Sequence, residues 1–393
     1  MMNVSFSYDG MELSFDGFGK KGKFPFGVPD STDPLKDDEY ECCFLCSNYF
    51  VTEGDYYKVN LKEGNGSRNV LGWLFPFNLL TEDTAFYTDI DEYLLKYMHV
   101  GIHKLIEYSL QNGLWKNLRG AIEDLGLSSD LILLVYRKRI CGKERFQDLI
   151  PSLFDFGYHV VDNPAEIDLK MYPINAYRKE KAIEFKNDLA QTCINLRCVS
   201  PLFTGSEYVK TLFKDTLISL RDPFLRYFSL YQIVEILMRV MYGNRYFEYV
   251  EKFANDDRHN LMDKFSELSS ESKLIKKIYE IGESGTEYLD FIDAAKKLLK
   301  KMDEDGIKDG SPFDEYMYKI RNLIVHNLRV MHDYEKDMIY LSYMYETLIV
   351  DLMCRTNLSI EEDKQIYVID RTKSRKANRK AFGRVMNGTT ARK

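Results

Sequence analysis

The stretch "EYMYKIRNLIVHNLRVMH", residues 315–332, decides how the rest of the chain is read. Phe313, Tyr316, Met317, Ile320, Leu323, Ile324, Leu328 and Met331 recur at helical spacing, which predicts one long amphipathic helix with a buried face. Ser311-Pro312-Phe313-Asp314 just before it reads as a capping box, with Ser at the N-cap and Pro next. Packing alone does not account for Arg321, Asn322 and His326. Asn322, His326 and Arg329 line up at i, i+4 and i+7 on the polar side. Arg321 lies about 140° around the helix from His326. It can join them only by wrapping around the helix or by meeting groups from a second copy, and this favours a composite site between two chains.

Other helices surround this one. Asp222-Pro223 is a helix start, followed by "FLRYFSLYQIVEILMRVMYG" and a stop expected at Gly243-Asn244. That helix carries two apolar stripes, so burial on two sides is expected, with Glu235 inside the aromatic stripe. A carboxylate there is costly unless it is paired. "KLIKKIYEIG" (273–282), "EYLDFIDAAKKLLKKM" (287–302) and "EKDMIYLSYMYETLIVDLM" (335–353) complete a four- or five-helix bundle over residues 221–358.

The part before the bundle reads differently. Short alternating runs such as "VSFSYDG", "MELSFDG" and "YYKVNLK", punctuated by Asp-Gly pairs, predict a β-rich N-terminal domain over residues 1–88. Residues 89–220 form a mixed, mainly helical middle region: helix over 89–125, strands at 130–139 and 158–162, and helix again from Pro173 to Leu220. The expected fold class is α+β, a β-rich and mixed N-terminal region followed by an all-α bundle. "KEGNGSR" (62–68) lacks the Lys-Ser/Thr of a phosphate-cradling loop.

Composition narrows the function classes. The net charge of −7 hides an asymmetry, because residues 371–393 hold nine Lys/Arg and no Asp/Glu. Without those nine charges the remaining 370 residues stand at −16. The segment 359–393 therefore reads as a basic, disordered tail. Its Arg371, Lys373, Arg375, Lys376, Arg379 and Lys380 suit phosphate backbones, or an acidic body of the same chain or a neighbouring one. The longest apolar runs fall short of the roughly 18 residues that cross a bilayer, so no membrane partner is expected. The first residues lack a basic stretch followed by an apolar one, and a cytoplasmic location is expected.

Seven cysteines suit reduced thiols better than a disulfide framework. Cys43 and Cys46 have zinc-knuckle spacing, and Cys193 and Cys198 would supply two more ligands. Buried free thiols are the plainer reading. His99 and His103 share a helix face but lack the Glu of a metalloprotease helix.

"IRNLIVHN" inside a C-terminal helical bundle, preceded by a first helix like "FLRYFSLYQIVEIL", resembles the HEPN superfamily, in particular the Apea-like HEPN domains of bacterial anti-phage proteins. The resemblance covers residues 221–355, with the R-N-x-x-x-H motif intact. It implies a homodimeric, metal-independent endoribonuclease whose active residues are Arg321, Asn322 and His326, with no cofactor. The substrate implied is RNA, with tRNA a candidate, and the expected role is that of an abortive-infection effector or toxin. A phage-derived trigger or an inhibitory partner would control it.

These residue types suit that chemistry. RNA carries its own nucleophile, the 2′-OH, so the protein needs only proton transfer and phosphate stabilisation. Imidazole titrates near neutrality and serves as base or acid. A guanidinium holds non-bridging oxygens as charge develops. Asn322 would orient the imidazole or the phosphate, Glu235 would support Arg321 across the bundle, and Arg329 would touch substrate. Two plainer readings stand beside this one. His326 and Asn322 can be a satisfied polar pair at a helix contact, and a HEPN bundle can serve as a non-catalytic dimerisation, nucleotide- or RNA-binding sensor or adaptor.

Overall fold

The computed structural model describes residues 5–8, 12–17, 19–25, 39–47, 56–62, 67–80, 92–114, 125–171, 193–252, 262–263, 266, 270–282, 286–302 and 311–356. The architecture is α+β: a mixed sheet in the N-terminal half and a helical C-terminal region.

Three strands, β1 (Ser5–Tyr8), β2 (Glu12–Gly17) and β3 (Lys20–Pro25), form an antiparallel meander; Asp16 and Gly17 are the last paired residues of β2 rather than a turn, and Asp9-Gly10 lies outside the described residues. A second sheet has six strands: β4 (Tyr40–Cys46), β5 (Tyr57–Lys62), β6 (Arg68–Pro76), β7 (Ile132–Arg137), β8 (His159–Val160) and β9 (Cys193–Arg197). Its order is β8-β4-β7-β6-β5-β9, antiparallel except for the β5–β9 pair. The sheet takes strands from both sides of the boundary expected at residue 88, so no cut there leaves it whole. β9 replaces part of the helix expected over 173–220. "CINLR" alternates buried and half-buried residues, and β-sheet pairing with β5 settles an ambiguity that so short a run leaves open.

The sheet is covered on both faces, which is why "ILLVY" in β7 reads as an unbroken apolar run. Leu133 and Val135 pack with Trp73, Phe75 and the buried face of α1 (Glu92–Gln111). Ile132, Leu134 and Tyr136 point the other way, toward Phe146 of α2 (Lys143–Gln147) and Leu153 of α3 (Ile150–Asp155). Gly72 sits where β6 crosses β7, beside a register shift in β5–β6. A Cβ there would lie 2.0 Å from the Val135 carbonyl oxygen. Gly72→Ala must therefore pry two central strands apart, and we expect it to cost about 1–3 kcal/mol, read as a lowered urea midpoint.

The bundle has its own core. A helical stretch begins with α4 (Glu207–Thr211), passes through a π-helical turn at Leu212–Thr216 and ends at Ser219. It is followed by α5 (Pro223–Lys252), α6 (Glu271–Gly282), α7 (Thr286–Lys301), α8 (Phe313–His326), α9 (Leu328–Met331) and α10 (Glu335–Arg355). Asp222 caps α5 as its sequence predicts: its carboxylate accepts from the backbone N–H of Phe224 at 2.9 Å and of Leu225 at 3.0 Å. α5 does not stop at Gly243-Asn244 but runs nine residues past Gly243 to Lys252, because an isolated helical glycine is tolerated where the flanking sequence continues the helix.

Tyr227, Leu230, Val234 and Leu237 of α5 are buried against α10, where Tyr227 stacks on Tyr345 with ring centroids 4.2 Å apart. The other expected stripe of α5 is only partly covered, with Phe224 and Tyr231 buried but Phe228 and Tyr242 exposed. Ile150 and Phe154 of α3, with Val199 and Phe203, belong to this same core. The sheet and the bundle therefore share a joint, held also by Arg197 of β9 on Asp351 of α10 at 2.6 Å. Among the described residues no helix is long and apolar enough to cross a membrane.

Candidate functional site

The single helix expected over residues 315–332 is two helices. α8 ends at His326, Asn327 takes φ −128° and ψ 32°, and α9 begins at Leu328. The capping box does not form as expected either. Pro312 occupies the N-cap, and Asp314, buried at 7% exposure, accepts a hydrogen bond from the Ser272 hydroxyl at 2.8 Å instead. Tertiary pairing has taken the carboxylate away from the helix end. Ile320, Leu323, Ile324 and Met331 are buried as the spacing predicts, while the Leu328 side chain lies outside the described residues.

The outer face of α8 bears an open groove of about 470 Å³, lined by Glu315, Tyr318, Lys319, Asn322, Leu323, His326 and Asn327. Asn322 and His326 thus share one surface a helical turn apart, Asn322 half-buried and His326 exposed. Tyr318 and Val325 stand exposed beside them at 39% and 44%. All the lining comes from one helix and its C-terminal cap.

Arg321 is not among the groove's lining residues. It is half-buried, its Nη1 donates to Asn322 Oδ1 at 2.9 Å, and its guanidinium lies over the Tyr231 ring, 6.0 Å from the centroid. Its Nε is buried without a hydrogen bond and faces Glu271 Oε1 at 3.9 Å. The same Glu271 oxygen accepts from the Tyr231 hydroxyl at 2.7 Å. Burial and this hydrogen bond to a carboxylate push the Tyr231 hydroxyl well up from its ordinary range, so it stays a donor.

The carboxylate that faces Arg321 is therefore Glu271, not Glu235. Glu235 is half-buried on α5, close enough to Tyr208 and Tyr345 for its charge to reach both. Sequence reasoning missed Glu271 because an acidic residue opening a helix is already explained by the helix dipole. Arg329 is exposed on α9, beyond the break at Asn327, so it does not continue the Asn322–His326 row. His332 packs edge-on to Phe224 at 5.1 Å. Arg371, Lys373, Arg375, Lys376, Arg379 and Lys380 of the basic tail lie outside the described residues.

The four-cysteine zinc set is not brought together. Cys43 packs with the core on one face of the sheet and Cys46 lies in the core on the other. Four interstrand steps, about 19 Å measured along the sheet, separate β4 from β9 with its Cys193. Among the described residues no group of three or more His, Cys, Asp and Glu could hold a metal ion. His99 and His103 are buried on α1.

Burial raises the Cys43, Cys141 and Cys354 thiols from 9.0 to about 12 each. A thiol held neutral by the fold stabilises it fully below the unfolded value. That contribution is lost as pH rises from about 9 toward about 12. We expect the melting temperature to fall across that range and to change less on the same titration of a Cys141→Ala variant.

No protein-family model, curated protein or solved structure matches the chain.

Proposed function

We propose that the α8 groove is the cleavage site of a metal-independent endoribonuclease acting on RNA, built as the HEPN resemblance implies. The observation that carries this reading is that Asn322 and His326 share one open groove while Arg321 hydrogen-bonds Asn322 from the side. His326 takes the proton of the 2′-OH as that oxygen attacks the adjacent phosphorus, or returns a proton to the departing 5′-oxygen. Arg321 retains donors beyond those facing Asn322 and Glu271, and these meet the non-bridging oxygens. The P–O5′ bond breaks, leaving a 2′,3′-cyclic phosphate and a 5′-hydroxyl. A second copy of the chain closes the other wall of the groove, and the homodimer acts as an anti-phage effector or toxin.

The test is cleavage of end-labelled RNA, a tRNA pool included, in EDTA by wild type and His326→Ala. Cyclic-phosphate ends from wild type alone support the reading. Growth arrest by wild type but not His326→Ala would place that activity in cells. One observation favours the alternative of a non-cutting binding or dimerisation module: Arg321 is already engaged inside its own chain. Equal RNA binding and equal growth effects of wild type and His326→Ala, with no cleavage by either, would select that alternative.

A further inference from the structure

Tyr231 on α5, Glu271 on α6 and the Arg321–Asn322 pair on α8 form one chain of contacts running from the bundle core to the groove. Each link fixes the next. Arg only donates, so the oxygen of the Asn322 amide must be the atom facing Arg321, and the assignment of its two ends is settled by chemistry. With Oδ1 taken by Arg321, the Asn322 NH2 is turned away from the guanidinium, on a residue that lines the groove. Without that hold the amide is free to flip and present an acceptor to a phosphate, which would repel it.

Arg321 needs holding in turn. A long side chain loses on the order of 1–2 kcal/mol of rotamer freedom when ordered. Its Nε lacks a hydrogen bond although buried. The Glu271 carboxylate faces it at 3.9 Å, an ion-pair distance beyond hydrogen-bond length. The Tyr231 hydroxyl fixes that same carboxylate oxygen from the far side at 2.7 Å.

We propose that Glu271 is a positioning residue for the groove: seated by Tyr231, it sets Arg321, which turns the Asn322 amide so that its NH2 donates to an anionic oxygen of the bound substrate. The identity of that substrate as RNA rests on the proposed function; the orientation of the amide does not.

The full-length chain labelled with 15N-asparagine tests the orientation directly, the Asn322 side-chain signals being identified by their loss in Asn322→Ala. Glu271→Gln and Tyr231→Phe should both shift the Asn322 NH2 signals and leave those of asparagines remote from α8 in place. Cleavage of end-labelled RNA then tests the consequence. Glu271→Gln should lower kcat about tenfold with KM changed less than about threefold, and Tyr231→Phe should lower kcat less. In an Asn322→Ala background Glu271→Gln should cost less than it does in wild type, because part of its effect passes through that amide and the rest through the Arg321 contacts to phosphate.

Unmoved Asn322 signals, or losses that multiply in the double variant, would overturn the proposal. Shifted signals in a chain that cuts no RNA would leave the positioning role standing and remove the ribonuclease reading. A general loss of structure in Glu271→Gln would move all asparagine signals together, and Tyr231→Phe, which removes one oxygen, then decides the matter by the same criteria.

Discussion

Glu346→Ala is expected to destabilise the protein by about 3–5 kcal/mol, the largest stability effect the fold predicts. Arg226 and Glu346 are 3% and 1% exposed, and they join α5 to α10 inside the bundle. Two guanidinium nitrogens, Nε at 2.9 Å and Nη2, donate to Glu346 Oε2, and Nη1 donates to the Leu217 carbonyl at 2.6 Å. Removing the carboxylate leaves a buried charge met by carbonyl dipoles and by the faces of Phe154 and Tyr343, each 5.6 Å away, but by no counter-ion among the described residues. The cost is that of an uncompensated buried ion rather than of one lost bond. Replacing both partners by apolar residues, Arg226→Met with Glu346→Leu, should recover most of the loss. Urea unfolding of the two variants checks this. If the single variant loses less than about 1 kcal/mol, Arg226 is finding another anion or water, and the pair does not organise the bundle.

His326→Ala carries the largest expected effect on activity, a fall of about 10²–10⁴ in cleavage rate, the usual worth of a positioned acid or base. Its stability should stay within about 0.5 kcal/mol of wild type, because the ring is exposed at the end of α8. Arg321→Ala should abolish cleavage comparably but also soften the bundle, since its half-buried side chain meets Glu271, Tyr231 and Asn322. This contrast separates the two roles. An activity loss without a stability loss in His326→Ala belongs to chemistry. A loss that tracks unfolding would return His326 to an ordinary surface histidine.

The sequence made some of this legible for clear physical reasons. The core face of α8, the Asp222 cap and the β7 strand each depend on local spacing or on one hydrogen-bonding side chain, so they can be read one element at a time. Two of the exceptions were settled by contacts between distant segments. Asp314 went to Ser272 rather than to the helix end. "CINLR" became a strand because β5 offered it a parallel edge. Asn327 divided a continuous helical pattern into α8 and α9, and this separated Arg329 from the groove.

The motif residues were legible as types and spacing, but their supports were not. Helical geometry set Arg321 about 140° from His326, and on that account pointed to a second chain. Within one chain, Arg321 reaches the groove face by way of Asn322. Nothing local in the sequence marks Tyr231 or Glu271, which lie 90 and 50 residues before Arg321 and meet it only once the bundle has closed.

The central claim, that this groove cuts RNA by way of the 2′-OH, is tested most directly with two oligonucleotides that differ at one sugar. Once a cut is mapped, one substrate keeps ribose at that nucleotide and the other carries 2′-deoxyribose there, and both are incubated with wild type in EDTA. The account predicts cutting of the first at the mapped bond, with a cyclic-phosphate end, and none at that bond in the second. Equal cutting of both would contradict it, because the nucleophile would then be something other than the RNA itself.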